Sequence, residues 1–278
     1  MRFRSDPTIE TQKIRLTREK ETLLVPLYSK AVESRRARPI IVDRKAEEIL
    51  RHIDYDFREL RIPIQSLVTL AMRAKKLDSC VRDYLNRTAD PLVLHLGCGL
   101  DSRVLRVGQA RGEWYDLDYP EVIDLRRKFY EETEHYHMIP SSVTNLAWLD
   151  RVKENGAACI IAEGLLMYLR EEDIKELFTA LQRCLPGSEI AFDAYSRLTA
   201  RSAGRHPSIK KTGAQIHWGI DDAERIETWG TGMRLLEEWY FTDSEDTAAL
   251  GFWFRLLFRA AGAFPAARKT HRILRFQL

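Results

Sequence analysis

The sequence predicts an α/β fold, a parallel sheet of about seven strands covered by helices on both faces. Short apolar runs alternate with amphipathic stretches through the middle of the chain. The first of these runs ends on a glycine pair, in "LHLGCGLDSR" (94–103). The stretches between the runs carry the 3.6-residue period of helices packed on a sheet.

The first strand is "PLVLHLG" (91–97), an apolar run ended by glycine. "EWYDLDY" (113–119), "YHMIPSS" (136–142), "ACIIAEGL" (158–165) and "SEIAFDAY" (188–195) supply the next four. Helical stretches at 103–109, 121–134, 146–154 and 172–185 separate them. The last shows the period most clearly. Ile174, Leu177, Phe178, Leu181 and Leu185 share one face, and Pro186-Gly187 stops the helix. "MRLLEEWYF" (233–241), a helix through 247–262 and a final strand, "THRILRFQL" (270–278), complete the pattern.

Two segments stand outside it. Residues 1–90 read as a mostly helical N-terminal cap, amphipathic around "REKETLLVPLYSKAVESRR" (18–36). Residues 91–278 form the core domain, with an insertion at 197–230 rich in Gly, Ser and basic residues. An insertion of that length between core strands is usually functional or mobile, and it is the candidate substrate cover.

Composition narrows the function. The 278 residues are 45% hydrophobic and 31% charged, as in ordinary globular proteins. A net charge of +3 is too small to argue for a nucleic-acid partner. No stretch resembles a signal-peptide core or a membrane span, so no membrane partner and a cytoplasmic location are expected. Cys80, Cys98, Cys159 and Cys184 form no CxxC pair, and no His/Cys/Asp spacing suits a metal.

A parallel sheet binds ligands beyond the carboxyl ends of its strands. Gly97 and Gly99 allow a tight turn and close backbone approach there. Asp118, 21 residues after Gly97, ends the second strand, where an acid can accept from ribose hydroxyls. A dinucleotide fingerprint needs a third glycine at position 102, where this chain has Ser102. S-adenosyl-L-methionine, which has no pyrophosphate, suits the turn better. A tight turn without ligand stays open on the glycines alone. Glu163 breaks the apolar fourth strand at its end, and a buried carboxylate needs a donor or a cation.

These residues carry a family resemblance. The chain resembles the leucine carboxyl methyltransferase-like family, and within it the bacterial branch of polyketide (tetracenomycin-type) O-methyltransferases. The matching pieces include "LLVPLYSKAVESRR" (23–36), "AMRAKKLD" (71–78), "LHLGCGLDSR" (94–103), "WYDLDYPEVIDLRR" (114–127), "SSVTNLAWLD" (141–150), "IAEGLLMYL" (161–169) and "WYFTD" (239–243). The resemblance implies a class I methyltransferase, a Rossmann-like seven-stranded sheet that uses S-adenosyl-L-methionine to methylate oxygen. It implies Gly97 under the methionine part, Asp118 on the ribose, Ser142 and Val143 beside the adenine, and Glu163 at the amino end. Lys30 and Arg73 match basic positions near the cofactor carboxylate and the substrate's acidic group. His95 stands where many methyltransferases have an acid, and Ser142 where the eukaryotic leucine carboxyl enzymes have aspartate.

The implied acceptor is a small molecule with a carboxylate or a phenolic hydroxyl. A carboxylate needs no base at neutral pH, and no catalytic base is assigned. Tyr195 and Tyr168, near strand ends, suit either the pocket or the core. Arg201, Arg205, Lys210 and Lys211 are candidates to attract an acidic acceptor, although a solvated surface is the favoured reading of such a charge run. Trp218 and Trp229 are candidate pocket walls. The competing readings are a protein C-terminal carboxyl methyltransferase, a dinucleotide-dependent oxidoreductase and an inactive nucleotide-binding module.

Overall fold

A computed structural model of the chain describes residues 23–53, 55–60, 62–108, 112–153, 156–203 and 215–278. Seven strands form one sheet in the order β3-β2-β1-β4-β5-β7-β6. They are β1 Leu92–Leu96, β2 Glu113–Asp118, β3 Tyr136–Pro140, β4 Ala158–Ala162, β5 Glu189–Tyr195, β6 Arg234–Tyr240 and β7 His271–Gln277. Each lies within a segment expected from the sequence. The pairs among β1 to β5 are parallel, whereas β7 runs antiparallel between β5 and β6. The reversed strand departs from the all-parallel expectation, because apolar patterning is blind to strand direction.

Alternate residues of the central strand face opposite layers. Leu92, Leu94 and Leu96 join one apolar cluster and Val93 the other. On the Val93 face lie α1 Leu24–Ser34, α2 Arg44–His52, α3 Ile64–Arg87, α4 Arg103–Val107 and α5 Pro120–Arg126. The opposite face is covered by α6 Glu171–Cys184 and by Trp218, Ile220 and Ile226 of the insertion. Asp43 caps α2 by accepting from the Ala46 N–H at 2.8 Å. Helix α3 packs against β4, β5 and β7, which brings its charged residues under the strand ends.

Three helical expectations are modified. The 121–134 stretch is helical only to Arg126. Tyr130 then stacks under the Arg126 guanidinium at 4.1 Å and donates to the Leu100 carbonyl at 3.1 Å, drawing the chain off the helical path. The 146–154 stretch is a 3-10 helix, Leu146–Arg151. The 247–262 stretch divides at Gly251, whose extended ψ of 154° separates the 3-10 turn Glu245–Ala249 from α8 Phe252–Gly262. Helices α7 Arg197–Ala203 and α9 Pro265–Arg268 complete the set. No described helix is long and apolar enough to cross a membrane.

Candidate active site

Chain order reverses between β1 and β4, and the cavity opens beyond the carboxyl ends of the strands there. Gly97 and Gly99 both adopt left-handed backbone, with φ of 65° and 52°. Only glycine does this cheaply, and a Cβ on Gly97 would lie 3.0 Å from Leu165 Cδ1. Asp118 fixes the turn. Its Oδ2 accepts from the Gly99 N–H at 2.7 Å and its Oδ1 from the Tyr119 N–H at 2.8 Å. Burial raises the Asp118 carboxyl pKa, and these amides only partly oppose that. Arg126 holds the same turn from below by donating to the Gly99 carbonyl at 3.0 Å. Arg126 is in turn paired with the buried Asp116, which also accepts from Tyr136 at 2.6 Å and Trp114 at 2.9 Å.

Deeper in, a buried charge network crosses from the N-terminal helices to the strand ends. Glu163, just past β4, accepts from Arg73 Nε at 3.1 Å and pairs with Arg103. Arg73 also donates to Asp193 of β5 at 2.9 Å. Asp193 further accepts from the Gly164 N–H at 2.6 Å and lies 3.3 Å from His271 Nε2. Lys30 of α1 pairs with Asp101 at 3.1 Å. Arg103 and Arg106 both reach Asp78 of α3 at 2.8 Å, and Arg106 reaches Asp43 at 2.7 Å. Isolated burial would raise the acids, yet Arg73, Arg103 and Lys30 hold Glu163 well below the carboxylate range. Arg73 and His271 do the same for Asp193. Burial lowers His271, which favours its neutral form.

Arg103 also sets the His95 tautomer. A guanidinium only donates, so at 3.0 Å His95 Nε2 must accept from Arg103 Nη1. The ring proton then sits on Nδ1, 3.3 Å from Asp116 Oδ1. The position where an acid is common is thereby filled by a buried histidine that accepts from Arg103 and lies beside Asp116.

The cavity encloses about 890 Å³, within the ~300–1,000 Å³ typical of small-ligand sites. Lys30, Arg73, Gly97, Gly99, Asp118, Ser142, Val143, Glu163 and Tyr195 all line it. Ser142 and Val143 sit on the loop after β3, anchored where Trp148 Nε1 donates to the Val143 carbonyl at 3.1 Å. Away from the glycine turn the wall becomes apolar and phenolic, with Leu70, Met167, Tyr168, Tyr195 and His217. The insertion reaches this wall through the His217 and Trp218 N–H groups, which donate to the Met167 carbonyl at 2.9 and 3.1 Å. Burial raises both phenol pKa values, so Tyr168 and Tyr195 stay protonated at neutral pH.

Some sequence candidates lie elsewhere. Trp218 and Trp229 pack on Phe192 and Phe178 in the core on the α6 face, so they wall the sheet and not the cavity. Arg201 is exposed on α7, and Arg205, Lys210 and Lys211 lie outside the described residues. Sequence reasoning assigned nothing to Asp193, Asp78, Asp101, Arg103, Arg106 or Arg126. Asp193 carried the same signal as Glu163, a carboxylate in an apolar strand. The others sit on α3, α4 and α5 or in the glycine turn, where a charge reads as ordinary surface.

Comparison with known proteins identifies the family. The leucine carboxyl methyltransferase family matches residues 24–182, from α1 through α6. The chain is 40% identical to the tetracenomycin polyketide synthesis O-methyltransferase TcmP of Streptomyces glaucescens, over 95% of this chain and 98% of that one. It is 29% identical to the S-adenosyl-L-methionine-dependent methyltransferase dpfgK of Gibberella zeae, over 89% and 90% of the two chains. In fold it is similar to an S-adenosylmethionine dependent methyltransferase from Mesorhizobium loti, with TM-score 0.53 at 11% identity, over 72% of this chain and 96% of that one. A match of this extent, spanning the elements that build the cavity, makes the chain a member of the leucine carboxyl methyltransferase family.

Proposed function

We propose that this protein is an S-adenosyl-L-methionine-dependent O-methyltransferase acting on a small molecule through a carboxylate or phenolic hydroxyl. The carrying observation is the single cavity shared by the glycine turn, Asp118 and the Glu163 network. The cofactor supplies a methyl group already activated on a sulfonium, and its bound form carries one net positive charge. The donor set fits that charge. Asp43, Asp78, Asp101, Glu163 and Asp193 outnumber Lys30, Arg73, Arg103 and Arg106 in the buried network, and Asp118, held only by backbone amides, adds a further carboxylate to the cavity. Asp118 keeps lone pairs free beyond the two amides it accepts, as a ribose partner requires.

In this reading Glu163 meets the ammonium, and Lys30 and Arg73 meet the carboxylate of the methionine part. Ser142 and Val143 flank the adenine. The chain's own contribution is positioning, because an in-line displacement needs the acceptor oxygen aligned and water kept out. Leu70, Met167, Tyr168 and Tyr195 offer an apolar wall with phenol donors, suited to a flat aromatic acceptor such as a polyketide. The helical cap expected over 1–90 belongs to the same reading, with α1 and α3 carrying Lys30 and Arg73; its residues 1–22 lie outside the described residues.

Calorimetric titration with S-adenosyl-L-methionine and separately with a nicotinamide dinucleotide tests the proposal. Saturable binding of the first alone is expected. Binding of the dinucleotide alone overturns it.

A further inference from the structure

Helix α8 has no buried residue. Phe252, Trp253, Phe254, Leu256, Leu257 and Phe264 are 62, 73, 41, 50, 63 and 65% exposed. Taking ~150–250 Å² for each large side chain, the four on one face, Phe252, Trp253, Leu256 and Leu257, leave roughly 500 Å² of surface in water. That lies in the upper part of the ~300–600 Å² range in which the largest patch of a monomer is often functional. At 3.6 residues per turn, Phe252, Trp253, Leu256 and Leu257 fall within an arc of about 140°. Phe258, on the far side, packs inward against the core.

We infer that this face is the interface of a two-fold dimer of the chain, with the two α8 helices antiparallel. Charge selects this occupant. Arg255 and Arg259 are the charged residues of the helix, and no acid follows Asp246 in the sequence. The turn packed at its N-terminal end carries Glu245, exposed, and Asp246, which Lys75 of α3 pairs at 2.8 Å. Antiparallel pairing sets Glu245 of one copy against Arg259 of the other. Parallel pairing sets like charges together. An isologous contact of this kind closes at two copies, which keeps the apolar face from recruiting further chains.

On its inner side, away from that face, Phe258 and Ala261 of α8 line a separate cavity of about 100 Å³ with Thr69 and His271.

Sedimentation velocity of the full chain at micromolar concentration should give twice the 32.4 kDa chain mass. Leu257→Glu should raise the dimer dissociation constant at least 100-fold while the circular dichroism spectrum stays unchanged. Glu245→Arg should weaken association, and Glu245→Arg combined with Arg259→Glu should restore it. A monomeric wild type, a larger assembly, or a dimer indifferent to Leu257→Glu overturns the inference. So does a monomer that co-sediments with phosphatidylglycerol vesicles, which would make the face a membrane contact.

Discussion

Asp193→Asn takes one charge and almost no volume from the deepest part of the site. The wild-type carboxylate is fully buried and accepts from Arg73 at 2.9 Å and from the Gly164 N–H at 2.6 Å. In the amide, the oxygen can keep Gly164 only by turning its NH₂ toward Arg73. Two donors then face each other, with Glu163 as the remaining carboxylate on Arg73. Breaking one side of a buried ion pair costs about 3–5 kcal/mol. Because Glu163 still neutralises Arg73, the lower end, about 3 kcal/mol, is expected. At roughly 2 °C per kcal/mol for a chain of this size, the melting temperature should fall by about 6 °C.

The pH dependence sharpens that test. Burial alone would raise Asp193, but Arg73 and His271 hold it well below its usual value near 3.8. Its contribution to stability is therefore complete above 3.8 and is lost as pH falls from there toward the folded value. The gap between wild type and Asp193→Asn should be constant from pH 7 to about 5 and should shrink below pH 4. Urea unfolding at several pH values measures both effects. A loss under about 1 kcal/mol at pH 7, or a gap that widens in acid, would refute the ion-pair reasoning.

Asp118→Ala should weaken S-adenosyl-L-methionine binding at least tenfold by calorimetry, since each charge-assisted hydrogen bond is worth about 1.5–3 kcal/mol. Unchanged affinity removes Asp118 from the ribose. Gly97→Ala should destabilise the fold by about 1–2 kcal/mol in urea, from the left-handed backbone more than from the Leu165 side chain, which can shift. In the native state one thiol per chain, Cys184, should react quickly with a disulfide reagent, because Cys80, Cys98 and Cys159 are buried. Burial pushes those three thiols up in pKa as well. Fast reaction of a second thiol would place a buried cysteine wrongly.

The sheet was legible because each strand is an apolar run bounded by turn residues, and that pattern is local. Gly97, Asp118 and Glu163 were legible because each breaks the pattern at a strand end. The partners of Glu163 were not. Arg103 and Asp78 lie on helices where charge is common, and their burial comes from α3 crossing under β4 and β5. Such crossing is a tertiary event with no sequence spacing to mark it. Arg73 was reached through family resemblance for the same reason. Trp218 and Trp229 show the converse error, in which an aromatic in a polar stretch was read as a pocket wall while its packing partner was the sheet.

The acceptor is the question that the chemistry of the far wall bears on. Tyr168 and Tyr195 hold their protons at neutral pH, so they can donate to an acceptor oxygen and cannot deprotonate one. Arg73 and Lys30 are already matched to carboxylates, which leaves little unbalanced positive charge to lower the pKa of a phenol. A carboxylate acceptor fits these conditions, because it is ionised before it binds. A phenol near pKa ~10 would need a base, and His217 is the described imidazole on that wall. The two cases separate in the pH dependence of kcat. Transfer to a carboxylate should be flat between about pH 6 and 9, and His217→Gln should leave that plateau in place. A rate that rises with pH through the histidine range, and that falls on His217→Gln, would overturn the carboxylate preference and identify His217 as the base.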